Sequence, residues 1–224
     1  MSYDNILTLS LQDHIEGVAG IFPIHGGILD LCGDPKEEEL LIGIDNETGY
    51  ARLLKVFLQL NKPFKYKSLK WVHAGATNLR YQKLKQEDFH LTFLNPPFSS
   101  QISKSKMPKI HELMSFGYQG VIANARKSWM EDEQNQQIIQ YFKQIYFLTV
   151  NKMKSDAART KQELMDFYQV TDKQAYEIFQ RLWESDGLSL SEKFDEKALK
   201  DTEAIFSLDT KIEVPQERNW IQNL

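Results

Sequence analysis

Cysteine is almost absent from this 224-residue chain: Cys32 stands alone, so no disulfide can form within it. A single thiol reads as the mark of a reducing setting, and a cytoplasmic location is the expectation. The N-terminus lacks the basic, apolar and small-residue succession of a secretory leader, which agrees with that expectation. No apolar run approaches the roughly 20 residues needed to cross a bilayer, so no membrane partner is expected. His25, His73, His90 and His111 follow no ligand spacing and Cys32 has no second cysteine, so no metal site is expected. Internal repeats and low-complexity stretches are also absent. What is present suffices for a core: 42% of residues are hydrophobic and 12% aromatic, which excludes wholesale disorder.

The net charge of −4 hides an uneven distribution. Residues 1–51 carry a net charge of −9, residues 52–109 carry +10, and residues 155–224 carry −6. The basic block holds Lys62, Lys65, Lys67, Lys70, Arg80, Lys83 and Lys85, then Lys104, Lys106 and Lys109. Such clustering either supplies a phosphate-binding surface or distributes solvated lysines over separate faces. Of these, Lys83, Lys85, Lys104, Lys106 and Lys109 are the candidates for contact with nucleic acid.

The patterning divides the chain into three parts. Residues 1–20 contain Ile6, Leu7, Leu9, Leu11 and Ile15, a short helix or docking segment. From 21 to 154, short apolar runs alternate with amphipathic stretches. Residues 26–32, 40–45, 71–74, 89–94, 120–125 and 146–150 read as strands. Tyr50, Leu53, Leu54, Phe57 and Leu58 form one helical stripe, and Ile138, Ile139, Phe142 and Ile145 another. Alternation of this kind predicts an α/β sheet flanked by helices, a Rossmann-like domain. Residues 155–224 form a helical appendage. Thr160-Lys161-Gln162-Glu163 and Thr171-Asp172-Lys173-Gln174 each fit a capping box, and two capped helices around Val170 resemble a helix-turn-helix unit. With a net charge of −6, that pair suits docking to a protein partner better than reading a groove. Thr210–Val214 reads as a terminal strand, and Trp220 as a cap on the core.

The most specific motif is Asn95-Pro96-Pro97-Phe98, at the end of the apolar run 89–94. Two prolines fix the backbone and remove two N–H donors, leaving carbonyls at the strand end. A strand ending in Asn-Pro-Pro-aromatic resembles the catalytic motif of the S-adenosylmethionine-dependent amino-methyltransferases of the N6-adenine type. The resemblance covers residues 26–150. It implies that Asn95 and the Pro96 carbonyl orient an exocyclic amine, that Pro97 sets the geometry, and that Phe98 stacks on a base swung out of its helix. It further implies S-adenosylmethionine as cofactor, held by Asp30 and Gly33 after the first strand and by Asp45 after the second. Asp45 equally suits the N-cap of the following helix. The first loop departs from the family: it reads Gly33-Asp34-Pro35-Lys36 rather than spaced glycines. Only fifteen residues separate Asp30 from Asp45, less than a strand, crossover helix and parallel return require. A hairpin around Gly33-Asp34-Pro35 is the alternative.

Two functions follow as expectations. The first is an enzyme that methylates adenine N6 in DNA or RNA. The second is a methyltransferase-like subunit with a degenerate cofactor loop, serving as a scaffold or nucleic-acid-binding partner in a larger complex.

Overall fold

The structure, a computed structural model, describes residues 1–13, 15, 17–102 and 117–222. Six strands among the described residues make two sheets rather than one. Strand β1 (Val18–His25) pairs antiparallel with β6 (Val121–Arg126), from Val18 opposite Arg126 to His25 opposite Val121. Strands β2 (Asp30–Gly33), β3 (Glu39–Ile44), β4 (Ser68–His73) and β5 (Leu91–Leu94) form the second sheet, in the order β2-β5-β3-β4. The mixed α/β class is therefore observed, but a single Rossmann-like methyltransferase sheet is not. β3 runs parallel to β4 and β5, whereas β2 lies antiparallel to β5. Asp30–Asp45 thus needs no crossover helix: β2 and β3 are separated by β5 and do not form a hairpin with each other.

Alternation explains how the larger sheet is covered on two sides. Leu31 and Phe93 face helix α2 (Tyr50–Asn61), which buries Leu53, Leu54, Val56, Phe57 and Leu58 against Leu40, Ile42 and Leu91. Cys32 and Leu94 point the other way, toward Tyr81 of α3 (Thr77–Lys85). Gly43 is required where it stands: a Cβ there would lie 2.5 Å from the Phe89 ring, which is buried just before β5.

Parallel pairing of β3 with β4 also offsets part of the charge asymmetry. The acidic segment before β3 lies beside the basic segment before β4, with Lys67 2.7 Å from Glu38 and Lys70 2.6 Å from Glu39. These pairs are exposed and add little stability. Their importance is that they cancel the basic block locally.

The smaller sheet is enclosed by elements distant in sequence. Tyr3, Ile6 and Leu7 of α1 (Tyr3–Leu7), continued by a π-helical turn over Thr8–Gln12, pack with Ile122, Leu199, Phe206 and Trp220 on one side. On the other, Phe22 meets Ile139 and Phe147. Two short helices, α4 (Phe98–Gln101) and α5 (Lys127–Met130), precede the long helix α6 (Glu133–Ser155). The expected strand at 146–150 lies inside α6. Its buried residues Ile139, Phe147 and Val150 keep helical spacing across it, and Asp132 caps the start through Gln134 N and Asn135 N. The expected terminal strand at 210–214 is not formed.

Helices α7 (Ala157–Tyr168), α8 (Asp172–Arg181) and α9 (Glu196–Thr210) complete the chain. The capping box at Thr171–Gln174 is present. The one expected at Thr160 is not, because Asp156 caps α7 a turn earlier and the Thr160 hydroxyl donates to Met153 O. Helix α9 contributes to the cores of both sheets, Ile205 to one and Phe206 to the other. Beside it, buried Arg52 joins three helices: Nη1 donates to Asp4 at 2.7 Å, Nε donates to Asp209 at 2.9 Å, and the guanidinium lies 4.7 Å from the Phe206 ring centre. Burial pulls the Arg52 pKa down, but Asp4 and Asp209 outweigh it and hold the group charged.

Candidate functional site

The chain passes between the two sheets twice, at residues 26–29 and again at 117–120, and the two passages touch. A Cβ on Gly120 would lie 2.6 Å from Gly26 C and Gly27 N, so only glycine permits the approach. One residue in the first passage is strained. Ile28 has φ +52°, a left-handed conformation that costs a β-branched residue about 1–3 kcal/mol. Its surroundings hold it there: Ile28 N donates to Asp186 O at 3.1 Å, and Asn95 Nδ2 donates to both Gly27 O and Ile28 O at 2.9 Å.

This strained point borders a cleft of about 550 Å³, within the range of small-molecule sites. Tyr50 lines it from the start of α2, Asn95 and Pro96 from the segment after β5; His25 and Val121 from the smaller sheet; Tyr146 and Met153 from α6; Tyr168 from α7. Leu164, Ile178 and Leu182 add apolar wall. The cleft lies at the carboxyl edge of parallel strands β3 and β5, where strand ends and a helix start leave a crevice. Two other concavities, of about 540 and 630 Å³, are the outer surface of α6 and a groove beside Lys143, Glu192 and Arg218. Neither adjoins the strained passage.

The polar groups of the cleft are few and neutral. Burial lowers the His25 pKa to about 4, while Asp186 raises it and Arg181 lowers it. His25 Nδ1 accepts from Gly27 N at 3.0 Å, which leaves the ring proton on Nε2. Burial raises the Tyr50 and Tyr146 pKa values, so both stay protonated. Tyr146 donates to Ile24 O at 2.8 Å. The Tyr50 hydroxyl and Asn95 Oδ1 have no hydrogen-bond partner among the described residues.

The residues singled out from sequence are split by this geometry. Asn95 and Pro96 line the cleft, while Phe98 faces away, its ring centre 5.3 Å from that of Tyr81. Pro97 is buried, and the Pro96–Pro97 peptide is cis. Asp30, Asp45 and Asn95 share the carboxyl edge of the sheet, because Asp30 pairs with Leu94. Gly33 lies at the opposite edge, opposite Leu91. Asp30 is committed to Arg181 Nε at 2.9 Å. Asp45 accepts from Asn46 N and sits 3.8 Å from Arg80; it does not cap α2, whose N-cap is Gly49, with Gly49 N donating to Asp4 at 2.6 Å. Lys83 and Lys85 occupy the last turn of α3, and Lys85 lies 5.3 Å from the Tyr81 ring centre. Lys104, Lys106 and Lys109 lie outside the described residues. Sequence reading missed His25, Ile28, Tyr146 and Arg181. The Gly26-Gly27 pair was a signal for the passage, but it was read as the start of a strand.

No family profile matches the sequence, and no curated protein does. Solved structures do share its fold. A ligand-binding component of an ABC-type import system from Staphylococcus aureus, with zinc bound, matches over 99% of this chain and 77% of its own, with TM-score 0.74 and 11% identity. An ABC transporter protein from Parabacteroides distasonis matches over 100% and 79%, with TM-score 0.67 and 15% identity. The periplasmic aliphatic sulphonate binding protein of Escherichia coli matches over 94% and 69%, with TM-score 0.62 and 12% identity.

These likenesses overturn the methyltransferase reading, both as an enzyme acting on adenine N6 and as a degenerate scaffold on nucleic acid. The fold is one shared with a ligand-binding component of an import system and with a sulphonate binding protein. Local geometry agrees: Phe98 is turned from the cleft, and the Asn95 amide fastens the chain's own backbone. S-adenosylmethionine is withdrawn with the fold that implied it; Asp30 and Gly33 stand at opposite edges of the sheet. Nucleic acid is withdrawn with that fold; within the basic block, Lys67 and Lys70 face the chain's own Glu38 and Glu39. The cytoplasmic expectation also falls. A lone buried thiol precludes an intrachain disulfide equally in an oxidising compartment, and the E. coli protein with this fold is periplasmic. No described helix is long and apolar enough to cross a membrane.

Proposed function

We propose that this chain is a solute-binding protein of an import system. It holds one small molecule in the 550 Å³ cleft between its two sheets and presents it to a membrane transporter, outside the cytoplasm. The observation that carries this reading is the place of the cleft: it lies where the chain crosses twice between the sheets, beside a strained residue, in a fold shared with ligand-binding components of importers. Strain held by surrounding hydrogen bonds is a recurrent feature of ligand clamps. Asn95 serves as a clasp on the first passage and as part of the cleft wall, not as a group that moves a methyl. The ligand is bound and released unchanged.

Thermal unfolding of the full chain against a library of small metabolites tests this. A ligand present at a hundred times its Kd should raise Tm by roughly 5–10 °C. Val150→Trp, which fills the cleft from α6, should abolish the rise. A folded wild-type protein that no solute stabilises, or whose stabilising solute still binds Val150→Trp unchanged, would remove the cleft as the binding site.

A further inference from the structure

We infer that the ligand is an uncharged molecule built on an aromatic or heteroaromatic ring, carrying a hydrogen-bond donor and acceptor near one end. This rests on the solute-binding reading and goes beyond it, because of the proteins of similar fold one has zinc bound and another is named for a sulphonate.

The first argument is the lack of counter-charge. Among the described residues lining the cleft there is no Lys, Arg, Asp or Glu. An ion entering it would lose hydration with no opposite charge to replace it, a cost of several kcal/mol. Three guanidinium groups buried elsewhere in the described fold are already committed. Arg52 is held by Asp4 and Asp209. Arg181 is held by Asp30 and Asp186. Arg80 donates to Gly75 O and Phe93 O.

The second argument concerns the start of α2, where an anion would ordinarily be welcomed by free backbone N–H groups. The Asp4 carboxylate, fully buried, already sits there on Gly49 N and Arg52. The chain thus fills its own anion position. A metal ion fares no better: among the described residues, no three His, Cys, Asp or Glu side chains are placed to hold one.

The third argument is the wall itself. Tyr50, Tyr146 and Tyr168 supply ring faces and edges, while Pro96, Met153 and Leu182 supply apolar surface, a lining suited to a flat ring. The polar atoms left over are complementary to a neutral polar edge. The Tyr50 hydroxyl and the His25 Nε2–H can donate, and Asn95 Oδ1 can accept.

The test is calorimetric titration of the full chain with two groups of probes at neutral pH. Nicotinamide, benzamide and uracil are the uncharged rings; butanesulphonate and zinc ion are the charged probes. At least one uncharged ring should bind with Kd of millimolar or below, and neither charged probe should. Tyr50→Phe should weaken that ring about five- to tenfold, the loss of one hydrogen bond, with Tm of the free protein changed little. Binding of butanesulphonate or zinc as tight as any ring would overturn the inference and leave the solute-binding reading standing. Ring binding indifferent to Tyr50→Phe and to Val150→Trp would place the ring outside the cleft and overturn the inference. Failure of all five probes, with no stabilising metabolite in the library, would overturn both.

Discussion

The two sheets of this protein are built to different standards of closure. The four-stranded sheet has α2 on one face and α3 on the other, and its central strand β5 is buried at all four positions. The two-stranded sheet is covered by α6, whose inner residues Ile139 and Phe147 are buried. The outer face of α6, however, presents Tyr141 and Leu148, the latter 71% exposed. Two strands alone are marginal, so the smaller unit depends on partners far away in sequence: α1, α9 and Trp220. The lesson is that one half of the molecule is stabilised by local amphipathic patterning, the other by long-range assembly.

Substitutions can break or sharpen this contrast. The largest expected effect is in the closed half: Phe57→Ala, from a ring with no exposure, should cost about 3–5 kcal/mol in denaturant unfolding. A cost below about 1 kcal/mol would mean that this core is not closed. Of similar size, Arg52→Leu should cost about 3–5 kcal/mol by leaving Asp4 buried without its partner. The same change combined with Asp4→Leu should recover part of the loss, as a double-mutant cycle will show.

A smaller effect lies at the junction. The His25 pKa is lowered by burial to about 4, below the value of about 6.5 expected in an unfolded chain. Between these two values the unfolded state binds more protons than the folded one, so stability falls as pH drops from about 6.5 to 4. The contribution is about 3 kcal/mol, modulated by Asp186 and Arg181 beside the ring. In His25→Gln that part of the slope should vanish; an unchanged slope would assign it to other groups. The smallest effect belongs to the open face. Leu148→Ser should change stability by less than about 0.5 kcal/mol. A loss of 2 kcal/mol, with sedimentation showing a dimer for the wild type only, would mean that this face is covered in solution.

Legibility in the sequence follows the same division. The stripe Tyr50, Leu53, Leu54, Phe57, Leu58 gave α2, and Thr171 with Gln174 gave the start of α8, because each is decided within a few residues. The run Tyr146–Val150 misled because aromatic and β-branched residues suit either a strand or the inner face of a helix. Its neighbours' helical spacing decided the matter. Strand order was illegible, since the partners of β2 and β1 lie far along the chain. The cleft was half legible. Asn95 and Pro96 stood out, but as chemistry, because a clasp on Gly27 and Ile28 cannot be seen without the fold. The commitment of Asp30 spans 151 residues to Arg181. Window sums of charge, likewise, could not reveal that Lys67 and Glu38 are neighbours.

The Tyr3–Trp220 contact carries a kinetic consequence. Trp220 Nε1 donates to the Tyr3 hydroxyl at 2.9 Å across 217 positions, and Met1 N and Gly20 N bind along the same seam. Bringing such distant segments together sacrifices chain entropy before any contact repays it. We therefore predict that the seam is the last part of the molecule to zip during folding and the first to open. Amide exchange at Tyr3, Gly20 and Gln222 should run ahead of exchange in β5, giving the molecule a built-in order of assembly that its static contacts do not display.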